Sequence, residues 1–342
     1  DIKKNLPNIK NFCSINYLNF DTIHNFLLRY FKLKRNINNI DKDQDKKMKL
    51  KNVLGLFDGI SCGQVALSEA GIEYETYYAS EIDKNCIKIT QKNYPDTQQL
   101  GNIMDWKTWD LENIDLIIGG SPCQGFSVAG KRLNFDDPRS KLFFEFLDII
   151  RHYKPKYWML ENVLMQQDIQ DAITAELGVE PIFIDSQKVS AQMRKRLYWT
   201  NIPGVEQPDD LGVKVSDILE SDKDWLPAHI VGRRLNSAGV RKDYDKTLPI
   251  TQCIQVKKNP DKTQCLTTVS KDAIISRLPH GRYPDAYGVH ADDWRNLTNV
   301  EAERLQTLPD NYTEGIAETQ RRRAIGNGWT VKVIAHIFSY ME

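Results

Sequence analysis

Residues 114–127 are Ile-Asp-Leu-Ile-Ile-Gly-Gly-Ser-Pro-Cys-Gln-Gly-Phe-Ser, an apolar, β-branched run followed by a loop rich in glycine and proline. Such a run is typical of a buried strand in a parallel sheet. Open α/β sheets bind their ligands in the loops at the carboxyl ends of these strands. Cys123, inside this loop, is therefore a candidate nucleophile, although an isolated cysteine can equally be a small buried apolar residue.

The same strand-and-loop arrangement recurs along the chain, with helices between the strands. We predict strands at 53–57, 77–80, 114–118 and 157–160, and helices near 63–70, 84–94 and 331–340. A further helix is indicated by an apolar stripe at Leu142, Phe143, Phe146, Ile149 and Ile150. This alternation predicts an α/β fold with a doubly wound, mostly parallel sheet.

Two more segments are expected to bring polar and charged side chains to the same edge of that sheet. Glu161 follows the apolar run 157–160, so a carboxylate joins the thiol where the strands end. In an extended segment, alternation would place Gln192, Arg194 and Arg196 on one face. That face offers one amide and two guanidinium groups, which suit carbonyl and phosphate oxygens.

The order Pro-Cys-Gln at 122–124, Glu-Asn-Val at 161–163 and Gln-x-Arg-x-Arg at 192–196 resembles that of the DNA (cytosine-5) methyltransferase family. Further similar segments are 56–60, 79–83, 101–105, 304–309 and 324–328. The sequences of segments 119–123, 142–146, 188–196 and 199–204 are also similar to the catalytic domain of eukaryotic de novo DNA methyltransferases. The rest of the chain resembles compact bacterial and viral enzymes. The resemblance implies the S-adenosylmethionine-dependent methyltransferase fold with a smaller, basic target-recognition domain.

The resemblance also implies S-adenosyl-L-methionine as the methyl donor. The residues that it assigns to this ligand are Phe57 for packing on the adenine or methionine side, Gly59 for close backbone approach, Glu81 for the ribose, Asp105 for the adenine, Asn327 from the C-terminal return, and Leu142 as a cover. Acidic groups at strand ends suit this task because their oxygens accept hydrogen bonds from ribose hydroxyls.

The family chemistry explains why these residue types occur together. Carbon 5 of cytosine is a poor nucleophile until a thiolate adds at carbon 6, and Cys123 would supply that thiolate. Glu161 would hold a proton at ring nitrogen 3, Arg196 would bind the carbonyl oxygen and Arg194 would position the base. The base must leave the duplex for this attack. The loop 127–140, which contains Arg132, would close over the flipped base, with an ordinary surface loop as the alternative.

The charges are unevenly distributed, although 46 Lys/Arg and 46 Asp/Glu give a formal net charge of zero. Residues 227–290 hold eleven Lys/Arg against five Asp, a net charge of +6, and residues 1–52 hold twelve against five, a net charge of +7. A basic segment suits a phosphate backbone, with a merely solvated surface as the alternative. We expect double-stranded DNA as the partner, contacted by Gln192, Arg132, Arg233, Arg234, Lys257 and Lys258.

These patterns divide the chain into four segments. Residues 1–50 form a basic N-terminal extension and linker for which the family implies no role, and 51–215 form the catalytic and cofactor-binding domain. Residues 216–290 form the target-recognition domain, with a strand-like run at 265–269, and 291–342 return to complete the catalytic domain.

Several features bear on compartment and partners. No run approaches the roughly 20 apolar residues that cross a membrane, and six scattered cysteines indicate a reducing compartment and no structural metal. We expect a cytoplasmic monomer, in a bacterium or in the host cell of a virus, with a companion restriction endonuclease as an option.

Two other functions compete with DNA methylation. They are an RNA (tRNA) cytosine-5 methyltransferase and a non-catalytic DNA-binding homologue. The basic segment favours DNA over RNA, and the presence of both Cys123 and Glu161 favours an enzyme. The recognition sequence does not follow from one chain, because it depends on a few side chains and on DNA shape.

Overall fold

A computed structural model of the chain describes residues 48–121, 138–221, 224–283 and 289–342. Within these residues, seven strands form one sheet: β1 (Lys49–Leu56), β2 (Glu73–Ser80), β3 (Gln98–Gln99), β4 (Ile114–Gly119), β5 (Tyr157–Val163), β6 (Ile182–Asp185) and β7 (Lys195–Thr200). Their spatial order is β3-β2-β1-β4-β5-β7-β6. The pairs from β3 to β5 are parallel, and β7 runs antiparallel to both β5 and β6.

The helices of the described residues are α1 (Cys62–Glu69), α2 (Lys84–Asn93), α3 (Pro138–Tyr153), α4 (Gln167–Leu177), α5 (Val215–Ile218), α6 (Asn299–Leu305), α7 (Glu318–Asn327) and α8 (Val331–Phe338). Local signals fix several of their ends: the Asp83 side chain accepts a hydrogen bond from Asn85 N at the start of α2, and Thr298 and Glu301 form a capping box at the start of α6. None of these helices is long and apolar enough to span a bilayer.

Both faces of the large sheet are buried. Along β1, Val53 belongs to one hydrophobic cluster and Leu54 to another, and Leu116 and Ile117 of β4 divide in the same way. Because successive strand residues point to opposite faces, helices must cover both sides. The predicted doubly wound α/β fold is thereby confirmed.

A second sheet lies in the later part of the chain. Its strands in the described residues are β8 (Leu226–Arg234), β9 (Ile250–Val256), β10 (Ile274–Ser276), β11 (Gly281–Tyr283) and β12 (Trp294–Asn296), in the order β11-β9-β8-β10-β12. All of their pairings are antiparallel. The sheet has its own apolar cluster, formed by Ala228, Ile230, Ile254, Val256 and Ile274. Strand β12 belongs to this sheet, although it lies within the segment 291–342 that we assigned to the C-terminal return. The predicted domain boundaries stay a prediction.

The predicted strand-like run 265–269 is not a strand, so this prediction was wrong. Its backbone binds side chains instead of a neighbouring strand: Leu266 N donates to Gln192 Oε1, and Leu266 O accepts from Arg194 Nη1. The segment also crosses α7 closely, since a Cβ at Gly326 would lie 2.4 Å from Thr267 O. The run therefore connects the smaller sheet to the end of α7.

Candidate active site

A cavity of about 470 Å³ opens at the carboxyl ends of β1, β2, β4 and β5. The loops after these strands meet there because the strands are parallel neighbours. The end of α7 and the residues after it close the cavity. Seven predicted site residues lie in its wall: Phe57, Gly59, Glu81, Glu161, Arg194, Arg196 and Asn327.

Glu81 organises one end of the cavity. Its Oε2 accepts a hydrogen bond from Gly59 N at 2.8 Å, and its Oε1 accepts from Ile82 N at 2.7 Å and from Asp83 N at 2.8 Å. Phe57 and Gly59 have φ angles of 54° and 58°, so the chain makes a left-handed turn directly after β1. A carboxylate retains acceptor capacity beyond these three bonds, so Glu81 can still bind hydroxyl groups.

Asp58 and Ile82 also line this end of the cavity, and our sequence analysis gave neither of them a role. Tyr77 OH donates to Asp58 Oδ1 at 2.6 Å, and the Ser61 hydroxyl donates to Oδ2. Burial is the main cause that raises the pKa of Asp58 from 3.8 to about 7, against the lowering effect of these two hydrogen bonds. The Ile82 side chain is 71% exposed and offers an apolar surface beside the Glu81 carboxylate. The sequence signal that could have identified Ile82 is an apolar residue directly after a strand-end carboxylate.

Two described cysteines, Cys62 and Cys86, line the same cavity. Burial raises the pKa of the Cys62 thiol to about 12 and raises that of Cys86 as well. Both therefore remain protonated near neutral pH and are poor nucleophiles. Among the described side chains, no group of three or more His, Cys, Asp or Glu could hold a metal ion.

Glu161 and Arg196 form an ion pair at the other end of the cavity. Glu161 on β5 lies opposite Tyr198 on β7, so Arg196, two residues before Tyr198, is its diagonal neighbour on the same face. Arg196 Nε lies 2.8 Å from Glu161 Oε1, and both side chains are largely buried. Trp329 Nε1, which our sequence analysis missed, donates to Glu161 Oε2 at 3.2 Å.

Arg194 borders the cavity, but its guanidinium is engaged by the protein. Nη1 donates to Leu266 O at 2.8 Å, and Nη2 donates to Gly328 O at 2.8 Å and Gly326 O at 3.2 Å. The residue is 3% exposed, and burial lowers the pKa of its guanidinium. Arg194 therefore holds two distant segments together, and in this structure its Nη groups are not directed to a base.

Gln192 is fully buried, which leaves no surface for the predicted contact with DNA. Its Nε2 donates to Leu305 O at 2.6 Å and to Gln306 Oε1 at 2.9 Å, and its Oε1 accepts from Leu266 N. The predicted common face is wrong for Gln192, because β7 begins only at Lys195 and Gln192 does not share a strand face with Arg196.

Four other predicted residues are not in the described cavity wall. Asp105 is exposed on the 3-10 helix Ile103–Thr108, and Leu142 packs against the apolar cluster under α3. Cys123 and Arg132 lie outside the described residues. The described chain reaches the cavity wall at Gly120 and Ser121, directly before the loop that contains Cys123.

The four predicted basic contacts of the second sheet lie at two separate places. Arg233 and Arg234 end β8, whereas Lys257 and Lys258 follow β9. In the antiparallel pair, Arg233 lies opposite Thr251 and Lys257 N bonds Pro227 O, so the two pairs occupy opposite ends of the β8–β9 ladder. They do not form one patch.

Comparison with known proteins bears on what the cavity does. A family model described as C-5 cytosine-specific DNA methylase matches residues 51–174 and 191–342. The type II methyltransferase M1.ScrFI of Lactococcus lactis subsp. cremoris is 28% identical over 324 residues, covering 87% of this chain and 79% of that protein. The type II methyltransferase M.NgoBI of Neisseria gonorrhoeae is 27% identical over 301 residues, covering 82% and 90%. The orphan methyltransferase M.Rho11sI of Bacillus phage rho11s is 32% identical over 176 residues, covering 51% of this chain and 35% of that protein.

Solved structures support the same fold. The Entamoeba histolytica methyltransferase EhMeth superposes with a TM-score of 0.63 at 20% identity, over 86% of this chain and 98% of that one. The S. pombe Dnmt2 methyltransferase superposes with a TM-score of 0.59 at 20% identity, over 84% and 97%. The family match includes every segment that lines the cavity. Since that match also spans well over half of the sequence, the chain belongs to the C-5 cytosine-specific DNA methylase family.

Proposed function

We propose that this chain transfers a methyl group from S-adenosyl-L-methionine to carbon 5 of a cytosine in double-stranded DNA, within a short recognition sequence. The observation that carries the proposal is the buried Glu161–Arg196 pair, which shares one cavity with the Glu81 carboxylate. The family match spans both ends of this cavity. The names of the bacterial relatives, type II methyltransferases, agree with this reaction.

The residues at the Glu81 end fit the methyl donor. Glu81 would accept hydrogen bonds from the ribose hydroxyls, and the exposed Ile82 side chain would cover the adenine ring. The left-handed turn at Phe57 and Gly59 brings the backbone to the cavity wall without a bulky side chain at Gly59. When bound, S-adenosyl-L-methionine supplies a methyl group carried on a sulfonium.

The proposed reaction proceeds through a covalent bond to the base. The Cys123 thiolate adds to carbon 6 of the flipped cytosine, and the ring electrons move toward nitrogen 3, where Glu161 shares its proton. Carbon 5, now nucleophilic, takes the methyl group as the methyl–sulfur bond breaks and its electron pair stays on the sulfur of the neutral thioether that leaves. Water then removes the carbon 5 proton, the electrons of that bond restore the carbon 5–carbon 6 double bond and expel the Cys123 thiolate, and the proton at nitrogen 3 returns to Glu161. Because Cys62 and Cys86 stay protonated, they do not compete as nucleophiles.

Arg196 is assigned to the base carbonyl. Its Nε binds Glu161 and its Nη1 binds Lys195 O at 2.8 Å, whereas the one contact of its Nη2 among the described residues is with Cys265 Sγ at 4.0 Å. We assign Nη2 to the cytosine carbonyl oxygen, because a guanidinium that already binds the carboxylate can hold both groups in one plane. Arg194 acts on the site through the backbone that it binds.

The surface for DNA is assigned to the Arg233 and Arg234 end of β8. Strand β10 runs antiparallel to β8 with Ile274 opposite Ala228, so the residues before β10 run alongside the later part of β8. Those earlier residues include Thr267, whose backbone abuts Gly326 in the cavity wall. Arg233 and Arg234 therefore lie toward the cavity, and Lys257 and Lys258 lie at the other end.

The test compares DNA with RNA directly. Purified enzyme is incubated with S-adenosyl-L-methionine and either unmethylated plasmid DNA or unmodified tRNA, and nucleosides are quantified by mass spectrometry. We expect 5-methylcytosine in the DNA, at positions that bisulfite sequencing then locates, and none above the Cys123→Ser control in tRNA. Methylation confined to tRNA would establish the RNA alternative, and an inactive wild type that still binds DNA would establish the non-catalytic one. The monomeric state and a companion endonuclease stay predictions.

A further inference from the structure

Trp329 contacts the carboxylate that the proposed reaction uses. Its Nε1 donates to Glu161 Oε2 at 3.2 Å, while Arg196 Nε lies 2.8 Å from Oε1. Each oxygen of a carboxylate that is only 9% exposed therefore has its own donor. The family resemblance gave Trp329 no role, and its position after the Gly326–Gly328 turn does not by itself predict one.

The main chain around Trp329 is held by buried donors. Gly328 O accepts from Arg194 Nη2 at 2.8 Å and from Gln306 Nε2 at 3.1 Å. The Trp329 backbone N–H bonds the Cys62 thiol, and Thr330 Oγ1 donates to Gln306 Oε1 at 3.0 Å. Because the backbone is held on both sides of Trp329, the position of its Cα atom is fixed. The contact of the indole with Glu161 is therefore determined by the fold.

Gly120 leaves the space in which the two groups meet. A Cβ at this position would lie 2.9 Å from Glu161 Oε2 and 3.2 Å from Trp329 Nε1. Real Cβ atoms essentially never approach a heavy atom within 3.0 Å, so a side chain here would displace the carboxylate, the indole or both. The glycine before the loop of Cys123 is thus tied to the geometry of Glu161.

We propose that Trp329 is a positioning residue for Glu161. Its N–H fixes the plane of the carboxylate together with Arg196, which orients that group toward ring nitrogen 3 of the flipped cytosine. This inference rests on the proposed function, because it assigns Trp329 a task in that reaction.

The test replaces the indole by a ring without a donor. In Trp329→Phe we expect kcat to fall about tenfold, because a hydrogen bond to a charged group is lost at the reacting carboxyl. The KM for S-adenosyl-L-methionine should stay within about twofold of wild type, since an aromatic ring still lines the cavity.

A matched control is available elsewhere in the chain. Trp106 Nε1 donates to Glu145 Oε2 at 2.6 Å, and neither residue lines the cavity. Trp106→Phe removes the same kind of bond and should leave kcat unchanged. Gly120→Ala should also lower kcat, because its methyl group would displace the Glu161 carboxylate or the Trp329 indole. Circular dichroism checks that this variant is folded. The Trp329→Phe variant by itself keeps the proposal testable if Gly120→Ala does not fold.

The outcomes separate the inference from the proposed function. Wild-type kcat in Trp329→Phe would overturn the positioning role, and so would a higher KM with unchanged kcat, which would make Trp329 a cofactor contact. A loss of rate equal to that in Trp106→Phe would indicate a structural role only. If the wild type itself methylates no DNA in the same assay, the proposed function fails instead.

Discussion

Arg196 binds the Glu161 carboxylate through Nε, whereas Arg194, two residues earlier, directs its Nη groups to three backbone carbonyl oxygens. At the scale of single residues, the same side-chain type thus carries two tasks. Burial of a guanidinium requires partners for its donors, and carbonyl groups from separate segments provide them for Arg194. In the proposed reaction, Arg196 uses its Nη2 for the base.

Two lysine substitutions should separate these tasks. Arg194→Lys should lower the free energy of unfolding by about 2–4 kcal/mol, because a single ammonium cannot satisfy three separated carbonyls. Arg196→Lys should change it by no more than about 1 kcal/mol but lower the methylation rate by about 100-fold, since the planar contact with the carbonyl is lost. Urea unfolding and single-turnover methylation measure both effects. A stable but inactive Arg194→Lys would show that Arg194 contacts substrate.

Asp58 should make stability depend on pH. Its folded pKa is about 7, above its ordinary value of 3.8, so between these values the folded state holds a proton that the unfolded state has released. Stability from this group is therefore present below about pH 4 and is lost as pH rises to about 7. Asp58→Asn should remove this slope, which is at most about 1.4 kcal/mol per pH unit because a single proton is linked to folding. Parallel slopes for both proteins in urea titrations at several pH values would contradict the assignment.

The β8–β9 ladder divides the basic residues that we expected to contact DNA into two groups. The sequence pattern grouped four basic residues, but β8 and β9 run antiparallel and separate Arg233 and Arg234 from Lys257 and Lys258. Arg233 also faces Asp243 at 3.7 Å, and Arg234 Nε donates to Leu248 O. Charge count alone does not tell which end of an element meets a ligand.

The two ends of the ladder can be neutralised separately. Arg233→Gln with Arg234→Gln should weaken DNA binding and reduce the slope of log K against log salt by about two, because two phosphate contacts are lost. Lys257→Gln with Lys258→Gln is the matched control and should leave the slope near that of wild type. Fluorescence anisotropy over a salt series gives both slopes. An effect confined to the lysine pair would place the DNA at the far end of the smaller sheet.

At the scale of the whole molecule, the described part of the chain from Met48 onward forms one unit by its contacts, and the family match begins at residue 51. The cavity draws its wall from the first strand, from the middle of the sheet and from the residues after α7. The cavity wall therefore combines segments that are far apart in sequence, from Phe57 to Trp329. The closing segment cannot be removed without opening the site.

A chain that begins at Met48 should fold and methylate the same sequence. The removed segment carries most of a net charge of +7, so we expect weaker non-specific DNA binding at low salt but an unchanged recognition sequence. Thermal melting and bisulfite sequencing of the shortened protein provide the measurements. An insoluble product, or one with a much lower melting temperature, would show that the apolar residues around Phe26 and Phe31 belong to the fold.

The strands and the edge of the sheet that carries the cavity were predictable, because local sequence patterns determine them. The runs 116–118 and 157–160 are apolar on both faces, as is typical of buried parallel strands, and parallel strands bring their ends to one edge. The burial of Gln192, the engagement of Arg194 and the approach of Trp329 were not predictable. They depend on backbone groups of distant segments, such as Leu266 and Gly328, whose positions no local pattern encodes.

The central claim is covalent methylation of cytosine by Cys123, and a trapped complex tests it most directly. Duplex DNA that carries 5-fluorocytosine at the recognition site is incubated with enzyme and S-adenosyl-L-methionine, separated on a denaturing gel and digested for peptide mass spectrometry. Because fluorine replaces the proton that must leave, we expect a stable adduct on the peptide containing Cys123, and none with Cys123→Ser. An enzyme that methylates ordinary DNA but forms no adduct, or forms it on Cys62 or Cys86, would contradict the account.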